Sequence, residues 1–326
     1  MLLGGGAAAA VAAGAWWVQS NRTQPNEPDG SPSPSKPSSP GKSPSSNGAF
    51  PGDPGDEVYV GISLQIDQPV SERESQIGAK PTISRRFYKD HQTGLMTSMA
   101  AQDLQAGVLP FLSMKVPGSW ASVASGDRDD WLDDVLKGLA QVDGPVFMAF
   151  HHEPENDLTL PGHTPGTWKQ MQQRARDRAA RIAPEVTIVP VLMQWTFNPE
   201  SGRKPEEWLL PDFAMLGVDV YNIWSPADPK VWSEFADLLA QVRAFVPQDQ
   251  AIIVPEFGTP PDPLDPQRAS EWLRGAYQSS IGGNVAGLAW FDSPFNDPGI
   301  GNTQLSPVGY ATLKELIQRP ETARLS

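Results

Sequence analysis

Eight short apolar runs, separated by segments of helical periodicity, constrain the fold of this chain more than any other feature. Each run has the length and composition of a strand that is buried on both faces, which is typical of parallel sheets. The runs span residues 58–64, 82–87, 108–114, 146–150, 186–192, 215–221, 252–254 and 285–291. Between them apolar residues recur at helical spacing, as they do at Leu132, Val135 and Leu139. Eight alternations of strand and helix predict an α/β chain whose parallel sheet closes into a single (β/α)8 TIM barrel.

The predicted barrel occupies residues 57–326, or about 270 residues. A typical barrel of this kind has about 250 residues, so the segment accommodates one. A doubly wound open sheet is the alternative fold. It is disfavoured because no Gly-rich phosphate loop follows the first predicted strand.

The residues before the barrel divide into an apolar segment and a linker. Residues 1–18 have the length of the apolar core of a signal peptide or of a marginal membrane anchor, with Ala13-Gly14-Ala15 as a cleavage-like site. The basic residues expected before it are missing, so either the true start lies elsewhere or the signal is weak. Residues 19–56 are rich in Pro, Ser and Gly and predict a disordered linker. A secreted protein, or one tethered to the outer face of the cell membrane, is therefore expected.

Composition excludes several classes of function. The net charge of −13 disfavours binding to nucleic acid or to an anionic membrane surface. The absence of Cys excludes disulfides, thiolate metal sites and a cysteine nucleophile. Nothing in the sequence signals an oligomer, so a monomer without a cofactor is expected.

Polar and titratable side chains collect where the predicted strands end, which is where parallel sheets bind ligands. The fourth run ends in His151-His152-Glu153, and the seventh ends in Glu256. The other strand ends carry Arg85 and Arg86, Lys115, Gln194 and Trp195, Tyr221 and Asn222, and Trp290 and Asp292. These residues could merely cap the strands, but two strands that end on a carboxylate favour a site on one barrel face.

Two glutamates across such a face match the needs of glycosidic bond hydrolysis. One carboxyl group protonates the leaving oxygen and the other attacks the anomeric carbon, with roughly 5 to 5.5 Å between them when configuration is retained. Glu256 would have to stay ionised, helped by the hydroxyl of Tyr221 and by the charge of Arg85 or Arg86. Glu153 would have to keep its proton until the bond breaks and then act as a base towards water.

At these motifs the chain resembles the retaining glycoside hydrolases built on (β/α)8 barrels, and His152-Glu153 is most similar to glycoside hydrolase family 26, the β-mannanase family. The resemblance implies an endo-acting enzyme that cleaves a β-mannan or related β-glycan by double displacement, with Glu153 as acid/base and Glu256 as nucleophile. It also implies that Tyr221 supplies the hydroxyl near the nucleophile, that His152 contacts substrate or orients the acid, and that Trp290 forms a sugar platform. The Gly- and Trp-rich continuation of the family is replaced here by Pro154-Glu155-Asn156-Asp157.

Position along the predicted strands indicates roles for further residues. Arg85, Trp195 and Asn222 are predicted to bind a polysaccharide or oligosaccharide substrate, because they lie at or just after strand ends. Asp219 shares its strand parity with Tyr221, which favours a structural hydrogen-bonding role.

Two other functions remain open: a carbohydrate-binding barrel without turnover, and a metal-dependent hydrolase on the same fold. A metal is disfavoured because the spacing of His151 and His152 is wrong for a helical H-E-x-x-H site and adjacent strand residues point to opposite faces. One of the two histidines is expected to face the helices.

Overall fold

The computed structural model describes residues 48–64, 66, 68–225, 232–294, 296 and 299–325, so the predicted signal segment and most of the predicted linker lie outside it. The strands of the described part are β1 Tyr59–Ser63, β2 Ile83–Tyr88, β3 Leu109–Met114, β4 Val146–Phe150, β5 Val186–Ile188, β6 Val191–Met193, β7 Met215–Tyr221, β8 Ala251–Gly258 and β9 Val285–Trp290. The helices are α1 Val70–Ile77, α2 Thr93–Gln105, α3 Trp120–Ser125, α4 Asp129–Leu139, α5 Pro165–Ile182, α6 Phe235–Arg243, α7 Arg268–Ser280 and α8 Pro307–Ile317. Of the helices described, none has the length and apolar character needed to span a membrane.

All the strand pairs are parallel, and the sheet order β5-β4-β3-β2-β1-β9-β8-β7-β6 closes on itself. β5 and β6 are two pieces of the fifth predicted strand, which is interrupted at Pro190 because proline has no N–H to donate to a neighbour. The first piece pairs with β4 and the second with β7. At the break, Val189 N donates to Met148 O at 2.9 Å and Gly217 N donates to Pro190 O at 2.7 Å. The predicted (β/α)8 barrel is therefore confirmed, with one strand split in two.

Strand alternation divides the core into two layers. Side chains such as Ile83, Phe111, Phe147 and Met215 fill the barrel interior. Their sequence neighbours, such as Leu112, Met148 and Leu216, pack against the helices. Alternation of this kind is what fixes which polar side chains of a strand can reach the cleft at the top of the barrel.

The chain joins the barrel before the predicted boundary at Glu57. Phe50 is buried in the barrel-interior cluster, with its ring centroid 6.1 Å from that of Phe147. The hydroxyl of Thr187 donates to Pro51 O at 3.0 Å. Residues 48–56, the end of the predicted linker, therefore pack on the folded part, because the apolar surface of Phe50 fits the lower end of the barrel.

Candidate active site

Glu153 and Glu256 face each other at the carboxyl ends of the strands, together with Asp219. One carboxylate oxygen from each of the three lies within 4.8 Å of the others. Inverting glycosidases separate their two carboxyl groups by about 6.5 to 9.5 Å, and retaining ones by about 5 to 5.5 Å. The separation found here is on the retaining side of that division.

A bulge in β8 brings Glu256 into the cleft. Ile253 points into the barrel interior, so strict alternation would turn Glu256 towards the helices. The pairing of β8 with β7 shifts by one residue between Gly217↔Ile253 and Val220↔Phe257. The extra residue reverses the alternation, which places Phe257 in the helix-facing core and Glu256 on the cleft side.

A left-handed turn after β4 positions Glu153. His151 has φ 54° and Glu153 has φ 50°, values that residues other than glycine adopt at a cost of about 1 to 3 kcal/mol each. His151 N donates to Met114 O at 2.8 Å, and Glu153 N donates to Val191 O at 3.0 Å. The turn is thus held between the strands on either side of β4.

Glu256 contacts both a hydrogen-bond donor and a cation. The hydroxyl of Tyr221 donates to its Oε1, and Arg85 Nη1 lies 3.4 Å from its Oε2. Arg85 Nη1 also lies 2.6 Å from Asp219 Oδ1, and neither of these two side chains has exposed surface. Although burial opposes it, the pKa of Arg85 stays above its usual value because Asp219 and Glu256 face it. A permanent cation and a hydroxyl donor therefore converge on the Glu256 carboxylate.

Glu153 has the opposite surroundings. Burial raises its pKa well above the usual range, and the negative charges of Asp219, Glu256 and Glu155 raise it further, while Arg85 lowers it. Burial also raises the pKa of Asp219, against the lowering effect of its Arg85 partner. The two glutamates thus differ in environment in the way that a proton donor and a nucleophile require.

Aromatic rings form one wall of the cleft. The half-buried ring of His152 lies 5.3 Å from that of Phe87, which in turn lies 6.4 Å from that of Phe291. Phe291 is 6.3 Å from the ring of Tyr221. Burial and the charge of Arg85 hold the pKa of His152 well below its usual value, so the ring is neutral. The placement of His152 beside Glu153 is compatible with its predicted role, which stays a prediction. Phe87 and Phe291 are cleft residues that no motif in the sequence predicts.

Trp290 does not form a sugar platform. The residue is 1% exposed, and its ring lies 5.1 Å from Phe257 and 6.0 Å from Trp272. Its Nε1 donates to Thr303 O at 2.8 Å. Trp290 has the parity of Leu288, which also faces the helices, whereas the next residue, Phe291, turns to the cleft.

Two further residues predicted to bind substrate are buried instead. Asn222 has no exposed surface; its Nδ2 donates to Thr259 Oγ1 at 3.1 Å, and its Oδ1 accepts from Ser233 N at 2.9 Å. Arg85 lies against the rings of Phe87 and Phe111 and reaches Glu256 rather than the open cleft. Asn222 therefore holds the backbone of Ser233 and the side chain of Thr259, and Arg85 supports Glu256. Trp195 is half-buried in a short 3-10 turn, Gln194–Phe197, after β6.

The histidine that faces the helices is His151. Its ring lies 4.9 Å from Trp120, and its Nε2 lies 2.8 Å from Asp157 Oδ2. Lys115 Nζ donates to the same oxygen at 2.7 Å. Although burial opposes it, these hydrogen bonds hold the pKa of Asp157 well below its usual range. His151 and His152 therefore point to opposite sides and do not form a pair of metal ligands.

Within the described part of the chain, Glu153, Asp219 and Glu256 are the carboxylates whose spacing could hold a cation. Arg85 already brings a positive charge to Asp219 and Glu256. Two of the three carboxylates are therefore already paired with a guanidinium group. Such a set suits a divalent cation less well than three unpaired carboxylates would.

No protein-family model and no curated protein matches this chain. Solved structures do match it. A GH26-CBM35 β-(1,4)-mannanase from Podospora anserina aligns with 82% of this chain and 62% of its own, at a TM-score of 0.54 and 17% identity. An endo-β-1,4-mannanase double mutant from Cellulomonas fimi aligns with 84% of this chain and 73% of its own, at a TM-score of 0.55 and 12% identity. A GH5_18 protein from Streptomyces cattleya in complex with GlcNAc aligns with 81% of this chain and 80% of its own, at a TM-score of 0.59 and 13% identity.

At these identities the likeness concerns the fold. It confirms the barrel that the resemblance to (β/α)8 glycoside hydrolases implies. The chain spans less than two thirds of the Podospora mannanase.

Proposed function

We propose that this chain is a retaining β-glycoside hydrolase that uses Glu256 as nucleophile and Glu153 as acid/base. The observation that carries the proposal is the pairing of two carboxyl groups within 4.8 Å that have opposite surroundings. Glu256 accepts a hydrogen bond from Tyr221 and lies beside Arg85, while burial and three neighbouring carboxylates raise the pKa of Glu153. Double displacement requires one carboxyl group that attacks the anomeric carbon and a second that donates a proton.

In the first step, the Glu256 carboxylate attacks the anomeric carbon as the bond to the leaving oxygen breaks, and Glu153 transfers its proton to that oxygen. In the second step, Glu153, now ionised, takes a proton from water as the water oxygen attacks the same carbon. The bond from that carbon to Glu256 breaks as the bond to the water oxygen forms, which returns the nucleophile as a carboxylate and leaves Glu153 protonated again. Arg85 and Tyr221 both contact the Glu256 carboxylate, so they are placed to orient it for attack and to stabilise it as it leaves.

The substrate class we propose is a β-linked polysaccharide, a β-mannan or a related β-glycan, cleaved by endo action. Its support is the fold likeness to chains described as β-(1,4)-mannanases, together with the half-buried rings of His152, Phe87 and Phe291 along the cleft. Aromatic rings present apolar faces on which sugar rings pack. We further propose a monomer that works outside the cell or tethered to the outer face of the cell membrane.

The test is release of reducing sugars by the full chain from soluble β-mannans, β-xylans and mixed-linkage β-glucans. Glu256→Ala should abolish release, whereas Glu315→Gln, a matched change on the outer helix α8, should leave it unchanged. Addition of a chelator should have no effect, because no metal takes part in either step. Release that survives in Glu256→Ala would refute the mechanism, and release abolished by the chelator would favour the metal-dependent alternative.

A folded protein that releases no sugar and is retarded by one polysaccharide in a gel would instead favour the carbohydrate-binding alternative.

A further inference from the structure

A second glutamate on the acid/base turn has contacts that the reaction does not explain. Glu155 lies in the 3-10 turn Pro154–Asn156, two residues after Glu153, and is 6% exposed. Its Oε1 accepts from Met193 N at 2.9 Å and from the Thr196 hydroxyl at 2.7 Å. A buried carboxylate is costly unless it is hydrogen-bonded, so a role is expected for this one.

These contacts join the acid/base turn to the far end of the split barrel strand. Met193 is the last residue of β6, and Thr196 lies in the turn that follows it. Arg203 reinforces the junction, since its Nη1 donates to Thr196 Oγ1 and its Nη2 to Asn156 Oδ1, both at 3.2 Å. Two side chains thus connect the segment after Glu153 to the segment after β6.

The turn needs such a connection because its backbone is strained. His151 and Glu153 both have left-handed φ values, and such conformations persist only where the surroundings hold them. The Glu153 N–H bond to Val191 O, at 3.0 Å, fixes the start of the turn, and the Glu155 carboxylate fixes its end. Release of that end would allow Glu153 to relax and its carboxyl group to move away from Glu256.

We propose that Glu155 is a positioning residue for Glu153, an inference that rests on the proposed function: its carboxylate, bound by Met193 and Thr196, holds the strained turn that aims the acid/base at the scissile bond. The negative charge of Glu155 also favours the protonated form of Glu153. The charged groups around Glu153 are Asp219 from β7, Glu256 from β8, Arg85 from β2 and Glu155 from the turn itself. All the carboxylates among them favour the protonated form of Glu153, and Arg85 opposes them.

The experiment separates loss of acid catalysis from general damage. Phenyl and 2,4-dinitrophenyl β-glycosides are made from the oligosaccharide that the wild type releases, because departure of phenol needs a proton from Glu153 and departure of dinitrophenol does not. The value of kcat/KM reports the first step for both. Misplacement by about 1 Å can cost about 100-fold, so Glu155→Ala should lower kcat/KM by about that factor for the phenyl glycoside. It should leave the dinitrophenyl glycoside nearly unchanged.

Three further variants make the result specific. Glu155→Gln keeps an acceptor oxygen and should lose less than Glu155→Ala on the phenyl glycoside. Thr196→Val removes one donor to Glu155 and should show the same selective loss, which decides the question if Glu155→Ala fails to fold. Asp129→Asn, which removes a carboxylate paired with Arg174 and Arg178 in the helix layer, should affect neither glycoside.

Azide gives an independent readout because it attacks the glycosyl-enzyme without needing a base. It should restore part of kcat in Glu155→Ala on the dinitrophenyl glycoside and have no such effect on the wild type. Equal losses on both glycosides, or no loss on either, would overturn the positioning role. A wild type that cleaves no polysaccharide would refute the proposed function itself, and the inference with it, before any variant is compared.

Discussion

Replacement of Arg85 by Met tests how the barrel interior supports the nucleophile. In the protein, Arg85 Nη1 lies 2.6 Å from Asp219 Oδ1 and 3.4 Å from Glu256 Oε2, and the Arg85 and Asp219 side chains have no exposed surface. Met keeps an unbranched apolar stem and removes the guanidinium. Asp219 is then left buried without its cation, and Glu256 loses the positive charge beside it.

The expected loss of stability follows from the burial of the pair. Removal of one partner of a buried ion pair costs about 3 to 5 kcal/mol. In a domain of this size, 1 kcal/mol corresponds to a change in Tm of about 2 to 4 °C, so Arg85→Met should lower Tm by about 6 to 20 °C. The decrease in Tm should lie near the lower end of this range. Burial already raises the pKa of Asp219, so without Arg85 its carboxyl group can take up a proton and avoid an unpaired buried charge.

The assay is a double-mutant cycle with Asp219→Asn, followed by thermal unfolding and by hydrolysis. The double variant leaves no unpaired charge at Asp219, so its loss of stability should be smaller than the sum of the single losses by about 0.5 to 3 kcal/mol. Hydrolysis should stay low in the double variant, since Glu256 still lacks its cation. Additive losses of stability, or hydrolysis that recovers together with stability, would refute the reasoning.

Two other predictions concern the acid/base and the corrected aromatic residue. Because the pKa of Glu153 is raised, the wild type should lose kcat/KM on the alkaline side only well above the usual glutamate pKa of about 4.3; a pH profile with its alkaline limb inside the ordinary glutamate range would contradict this. Trp290→Phe should lower Tm by at least about 2 °C, because it removes a buried hydrogen bond worth about 1 kcal/mol, and should leave KM unchanged. An unchanged Tm with a raised KM would restore Trp290 to the substrate site.

Strand periodicity was enough to predict the barrel and several residues of the site. Asp219 and Tyr221 lie two residues apart on β7 and share one face, and Arg85 lies on the interior face of β2, so regular alternation brings them together. The same rule, applied from Leu288, would have placed Trp290 towards the helices and Phe291 in the cleft. The burial of Trp290 agrees with that rule and contradicts the platform role that the resemblance implies.

Other features have no signal in the sequence pattern. The burial of Asn222 depends on Thr259 and Ser233, which come from separate segments of the chain. The packing of Phe50 depends on Phe147, almost a hundred residues away, while its own surroundings have the composition of a linker. The contacts of Glu155 with Met193 and Thr196 likewise join two loops whose relation only the closed barrel determines.

The two proposed reacting glutamates lie on segments that depart from regular strand structure. A regular β8 would direct Glu256 towards the helices, and the bulge between Ile253 and Phe257 turns it to the cleft. A regular continuation of β4 would likewise place His151 on the interior side, and the left-handed residues His151 and Glu153 redirect the chain there. The groups that support the nucleophile, Arg85 and Tyr221, lie on regular strands. Rigid strands hold this cation and this hydroxyl group in fixed positions, whereas Glu256 reaches the cleft through a bulge and Glu153 follows a left-handed turn. Because strained turns persist only when neighbouring contacts hold them, residues such as Glu155 should control acid catalysis without touching substrate.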